Sequence, residues 1–356
     1  MWHASQYEFE DVVTEVDDAV LVTPPPRRMN AAGAMLHGIG NRAGMVVRRP
    51  RRAAMLPPGE AHDVDLFFAV FAAPHEIGAL PHVRAQLRRS TAKVAFIVEL
   101  WEPQLASVSD YLKELRGFDH IFLFNRAVIP AVREITGVAC SYLPTAVDVL
   151  RFAPTAPWPE RSIDVMSYGR RLPVTHEALR AAAADRALHY YYDTVRGAFE
   201  VTGHVEHREA LAAALQRSRY VVVYKNNDEP ARVARTGGEE SLTNRYFEPL
   251  ASGAVLLGTA AEVADFGDCF DWPDALIPIA APAPDIADVI ASLDLQPERM
   301  AEARRAAVVG SLRRHDWAHR WQAMLDAIGM DPHPLLGERL DRLAQREASV
   351  TSTGAL

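Results

Sequence analysis

The run Glu240-Ser-Leu-Thr-Asn-Arg-Tyr-Phe-Glu248-Pro-Leu-Ala-Ser-Gly253-Ala-Val-Leu-Leu257 passes from a polar loop into a helix and then into a buried strand. Gly237-Gly238 leads into it, and the pattern predicts a helix over residues 241–251 and a strand over 254–257. Seven residues separate Glu240 from Glu248. That is about two helical turns, so the carboxylates are expected near one face, some way apart. The amides of Leu242, Thr243 and Asn244 would lie free at the helix start, where unpaired N–H groups attract phosphate. Carboxylates beside free amides suit a ligand that carries both hydroxyls and phosphates.

Outward from this run, short apolar strands alternate with amphipathic helices. Strands are expected at 64–71, 93–99, 120–124, 138–143, 162–168, 188–192, 220–224 and 275–279. Helices are expected at 76–89, 105–116, 129–136, 175–186, 206–216, 285–293, 297–313 and 316–328. Alternation of this kind implies parallel strands joined by right-handed crossovers. It breaks at 144–159, a Pro-rich stretch, and then restarts. The expected fold is α/β, with two doubly wound Rossmann-like domains facing each other across a cleft, where ligands gather at the strands' carboxyl ends. Residues 1–150 form the first domain and 151–314 the second. A helix at about 315–330, carrying the stripe Trp317, Trp321, Met324, Leu325 and Ile328, returns to the first domain. Residues 331–356 read as a polar tail that frays. The first sixty residues are poorly patterned: a strand at 19–23, a helix at 29–36, a loop at 37–41, and the basic cluster 48–52. That cluster is either a solvated turn or a contact for an anionic acceptor or membrane surface.

The chain has 356 residues, 49% apolar and 24% charged, with a net charge of −8. This is an ordinary globular composition, and the negative net charge argues against a general nucleic-acid binder. Cys140 and Cys269 stand far apart with no metal-ligand spacing, so neither a disulfide framework nor a metal site is expected. No apolar run is long enough to span a bilayer and no secretory pattern precedes the fold, so a cytoplasmic location is expected.

Two further loops point toward the cleft. Gly169-Arg170-Arg171 follows a strand directly, and its guanidinium groups can fork onto phosphate oxygens. Tyr224-Lys225-Asn226-Asn227-Asp228 follows another, and Lys225 is one of three lysines in the chain.

Glu248-Pro-Leu-Ala-Ser-Gly253-Ala-Val-Leu-Leu, with Glu240 before it, resembles the Glu-x7-Glu motif of retaining glycosyltransferases with the GT-B fold, in particular family 4 and its CgeB-like relatives (glycosyl transferases group 1). Tyr142-Leu-Pro-Thr-Ala-Val-Asp148-Val-Leu-Arg-Phe152-Ala-Pro154 is similar to that family's interdomain segment, and Asp164-Val-Met-Ser-Tyr-Gly169-Arg170 to the opening of its nucleotide-binding domain. The resemblance implies transfer of a sugar from a nucleoside-diphosphate sugar, with retention and without a cofactor or metal, to a small-molecule or glycan acceptor. By position it implies that Glu248 holds the ribose hydroxyls and Glu240 contacts the transferred sugar. The amides of Leu242, Thr243 and Asn244 would cap the diphosphate, with charge from Arg170 beside Gly169. The family's usual lysine after that arginine is missing here, and Lys225 or Arg245 is expected to replace it. The first domain would hold the acceptor and contribute to catalysis. Its candidates are His37, Gly38 and Gly40 in one loop, His75 in another, and Glu99, Trp101 and Glu102 in a third. Two alternatives remain open: a sugar-nucleotide epimerase of the same fold, and a GT-B-like protein that binds a glycan or partner without turnover.

Overall fold

The computed structural model describes residues 4–22, 61–194 and 203–353. The helix expected at 29–36, the loop with His37, Gly38 and Gly40, and the basic cluster 48–52 lie outside these residues. Residues 19–22, the described part of the first expected strand, are not in a strand. Helix α1 (Ala4–Val16) precedes them instead.

The first sheet contains β1 (Val64–Phe71), β2 (Ser90–Ile97), β3 (His120–Leu123) and β4 (Ala139–Tyr142), all parallel and in that order. Successive crossovers step in one direction, so their right-handedness places α2 (Leu105–Lys113) and α3 (Ile129–Thr136) on one face. There Phe71, Ala95, Ile97, Ile121 and Leu123 meet Leu112 and Val132. The helix expected over 76–89 is instead a 3-10 turn, Pro74–Val83, followed by a short α-turn, Arg84–Arg88. Pro81 inside it has no N–H to continue an α-helix.

The second sheet is five-stranded and parallel, in the order β6-β5-β7-β8-β9. Its strands are β5 (Ile163–Ser167), β6 (Tyr190–Tyr192), β7 (Ser218–Val223), β8 (Val255–Gly258) and β9 (Ile277–Pro278). The order reverses between β5 and β7, which makes their carboxyl ends the topological switch point, where open α/β sheets bind ligands. Around this sheet lie α4 (Pro173–Ala184), α5 (His204–Gln216), α6 (Pro230–Thr236), α7 (Asn244–Ala251), α8 (Ile286–Asp294) and α9 (Pro297–Arg314).

The chain crosses between the sheets twice, side by side. Val147 N–H donates to His315 O (3.1 Å), and Trp317 N–H donates to Val147 O (3.3 Å). After the second crossing, α10 (Trp317–Ile328) lies with α1 on the free face of the first sheet, burying Phe9, Val12, Trp317 and Trp321 against Val94, Phe96 and Phe122. The tail expected to fray is a helix, α11 (Pro334–Thr353). It buries Leu336, Leu343 and Arg339, and the Arg339 guanidinium pairs with Asp148, Asp316 and Glu15. Among the described residues, no helix is long and apolar enough to cross a membrane.

Candidate functional site

The switch point is built from the loops after β5 and β7 and the first turn of α7. Gly169 turns the chain after β5 with φ +70°, a conformation glycine adopts without a Cβ clash. Its N–H donates to Asp193 Oδ2 (2.9 Å), and Arg171 pairs with the same carboxylate. Arg245 reaches back from α7 and donates to Arg170 O (3.2 Å) and Tyr224 O (2.9 Å), which ties the two loops together. Arg170 lies 3.8 Å from Glu229. Arg232, from α6, leaves its Nε buried and without a partner. The charges of Arg170, Arg232 and Arg245 act on one another, with Glu229 as counter-charge to all three, while Arg232 is also compensated by Glu99, which pairs with Arg235, and by Glu240. Burial, then Arg245 and Arg232, pushes the Arg170 pKa down to about 9. A half-buried cluster of cations favours an anion.

The motif itself is arranged differently from the helical reading. Helix α7 starts at Asn244, after an extended Thr243. The amides at its first turn are therefore those of Asn244 and Arg245 rather than of Leu242 and Thr243. Leu242 is buried in the domain core, and Thr243 Oγ1 is buried without a partner. The Asn244 side chain faces the interdomain segment, accepting from Thr145 Oγ1 (2.7 Å) and donating to Ala146 O (3.4 Å). Glu240 lies before the helix, so the shared helical face is not formed. Its carboxylate accepts the N–H groups of Asn226 (3.0 Å) and Asn227 (2.7 Å) and braces the loop after β7. Burial raises its pKa, against the pull of those amides and of Lys225. Lys225 forms an ion pair with Glu262. Glu248 does lie in the helix and is only 4% exposed. One oxygen accepts from Arg208 Nη1 and the other from the Tyr168 hydroxyl (2.8 Å). Burial, then Glu248, raises the Tyr168 pKa, so the phenol stays a donor.

In the first domain, Glu99 pairs with Arg235 of the second. Trp101 is 1% exposed, so its ring is interior and does not offer a face for a sugar. Glu102 has an exposed side chain and donates its N–H to Glu239 Oε1 (3.3 Å). His75 is exposed in the turn after β1. Several residues that sequence reasoning missed bind across the cleft or beneath it: Glu239 to Asn125, Arg126 to Asp265, and Arg208 to Glu248. Only Glu239 carried a signal, its place beside Glu240. No cluster among the described residues groups three or more metal-ligating side chains.

Two parallel α/β units joined by a double crossing, with a cationic switch point in the second, define a protein of the GT-B class. Residues 156–326 match the model of the glycosyl transferase-like family. Its structure is similar to that of the UDP-forming α,α-trehalose-phosphate synthase of Burkholderia vietnamiensis, at 14% identity over 75% of this chain and 74% of that one, with a TM-score of 0.46. It is also similar to Anabaena HepE in complex with UDP-glucose, at 11% identity over 74% and 78%, with a TM-score of 0.47. No curated protein matches it by sequence.

Proposed function

We propose that this chain transfers a sugar from a nucleoside-diphosphate sugar to a hydroxyl-bearing acceptor, with retention and without a metal. The observation that carries this reading is the convergence of Arg170, Arg232 and Arg245 at the switch point, beside the first turn of α7. When the glycosidic bond to the diphosphate breaks, negative charge grows on the leaving oxygens. Fixed guanidinium groups and helix amides stabilise that charge without reorganising. In this reading Glu240, which braces the loop after β7, holds it for the donor, and Glu248 takes the ribose hydroxyls. The pocket between Arg170, Tyr224 and Glu229 at the switch point holds about 10 Å3, so a diphosphate enters it only as these second-domain loops part. Closing around the donor then excludes water and suppresses hydrolysis.

A second reading, binding without turnover, is favoured by one observation: the carboxylates of Glu240 and Glu248 are both engaged within the protein. A thermal-shift panel of UDP, GDP, ADP and their hexose conjugates separates the readings when joined to a donor-hydrolysis assay. The transferase reading expects a rise in Tm with at least one of them, abolished in Arg170→Ala, and slow release of free sugar with the donor's anomeric configuration. A shift without sugar release supports binding alone. No shift with any compound would sink the donor site.

A further inference from the structure

Glu8 belongs to α1, which packs on the first sheet, yet its fully buried carboxylate reaches into the second domain. Oε2 accepts from Arg208 Nε (2.7 Å), and Oε1 accepts from Arg208 Nη2 (3.2 Å), the Asp148 N–H (2.8 Å) and Trp317 Nε1 (3.2 Å). Arg151 lies 3.5 Å from the same carboxylate. The remaining arm of Arg208, Nη1, donates to Glu248, whose other oxygen holds the Tyr168 hydroxyl. One guanidinium on α5 therefore joins a carboxylate from each domain, with the Phe152 ring 4.6 Å beneath it.

The contacts on Glu248 are placed as orienting contacts are. A carboxylate offers about four lone-pair directions. Arg208 and Tyr168 use one on each oxygen, so one on each is left to accept from a vicinal diol when the cleft opens over this buried group. Arg208 also supplies the counter-charge without which a buried carboxylate is costly.

We propose that Arg208 is the positioning residue that aims Glu248 at the ribose diol of a bound nucleotide, and that Glu8 makes α1 part of the nucleoside half of the site. This rests on the donor reading above and adds residues from outside the motif to it. The test compares titrations of UDP, GDP and ADP with their 2′,3′-dideoxy counterparts, and uses inorganic pyrophosphate as the probe of the arginine cluster alone. The wild type is expected to prefer the diol form by about tenfold or more. In Arg208→Lys, which keeps the charge and loses the fork, that preference falls toward one while pyrophosphate affinity stays within about twofold. Glu8→Gln, nearly isosteric, gives a smaller loss in the same direction and serves alone if Arg208→Lys does not fold. An unchanged diol preference in the folded variants overturns the inference, as does a parallel loss of pyrophosphate binding, which a purely structural role would produce. A wild type that binds pyrophosphate but ignores the diol also overturns it and leaves the arginine cluster standing. A wild type that binds neither overturns the donor reading itself.

Discussion

His315 shows how far a single residue's surroundings can depart from its appearance in the sequence. It is buried at the second crossing between the domains, with Nε2 donating to Cys269 O (2.7 Å) and Nδ1 facing Arg320 Nη2 (3.4 Å). Rings of Phe247, Phe270 and Trp272 surround it, and Arg314 and His319 add to the local charge. Burial, then Arg320, pushes its pKa down to about 3. The unfolded chain takes up this proton near pH 6.5, while the folded chain resists it until about 3. Stability is therefore full above pH 6.5 and falls with decreasing pH, by about 1.4 kcal/mol per unit for one proton. The His319 pKa is lowered too, so its contribution has the same sign. Urea denaturation between pH 7 and 4 is expected to show this slope, and His315→Gln to reduce it. An equally steep profile in the variant would show that His315 is not its source. Similar limits apply at the motif, where Glu240 and Glu248 were legible as residues and their partners were not. Arg208 and Glu8 look like surface charges in the sequence because their pairing spans 200 positions.

At the scale of elements, α11 was the most misleading segment. Its buried positions Leu336, Arg339 and Leu343 are spaced for one helical face, but the central one is charged, so the face reads as polar. In the folded chain, Arg339 donates to both oxygens of Asp316 (2.9 Å each), to Asp148 (2.7 Å) and to Glu15 (2.8 Å). Asp316 in turn caps α10 through the Ala318 N–H and accepts from the Val149 N–H, both at 2.9 Å. This one guanidinium therefore fastens α11 to both crossings. Arg339→Met leaves Asp148 and Asp316 buried without it and is expected to cost about 3–5 kcal/mol in urea denaturation. A loss below about 1 kcal/mol would mean that the helix is held by its leucines alone. The strands were legible for the opposite reason: runs such as Val64–Phe71 are apolar on both faces, which only a covered sheet accommodates. Helices α1 and α6 were not read at all. The buried face of α1 includes the charged Glu8, and α6 is only seven residues long.

Across the whole molecule, the arrangement of two α/β units was legible from the alternation and its break. Their closure was not, because the contacts that close them join residues more than 90 positions apart. At the mouth, Arg126 grips Asp265 (2.7 and 2.5 Å), Glu239 spans to Asn125 and the Glu102 N–H, Arg235 pairs with Glu99, and Thr145 bonds Asn244. Gly237, at φ +69°, packs so tightly on Pro103 that a Cβ would lie 2.8 Å from its ring. Several of these clamps are partly exposed: Arg126 and Arg235 keep 57% and 45% of their side-chain surface in solvent. Each is therefore weak and screened by salt. The charges at the double crossing, Glu8 with Arg208 and Asp316 with Arg339, are buried and resist both. A molecule fastened weakly at the mouth and strongly at the back should open about residues 143–149 and 315–317. The variant carrying both Arg126→Gln and Glu239→Gln is expected to show a larger radius of gyration by small-angle scattering than the wild type, and half-molar salt to narrow that difference by loosening the wild type. In the donor reading the nucleotide enters between the two domains, so the association rate of the tightest-binding nucleoside diphosphate should rise in the same variant, by up to about tenfold. Identical scattering and association rates in the two proteins would place the resistance to opening at the buried crossing instead of at the clamps.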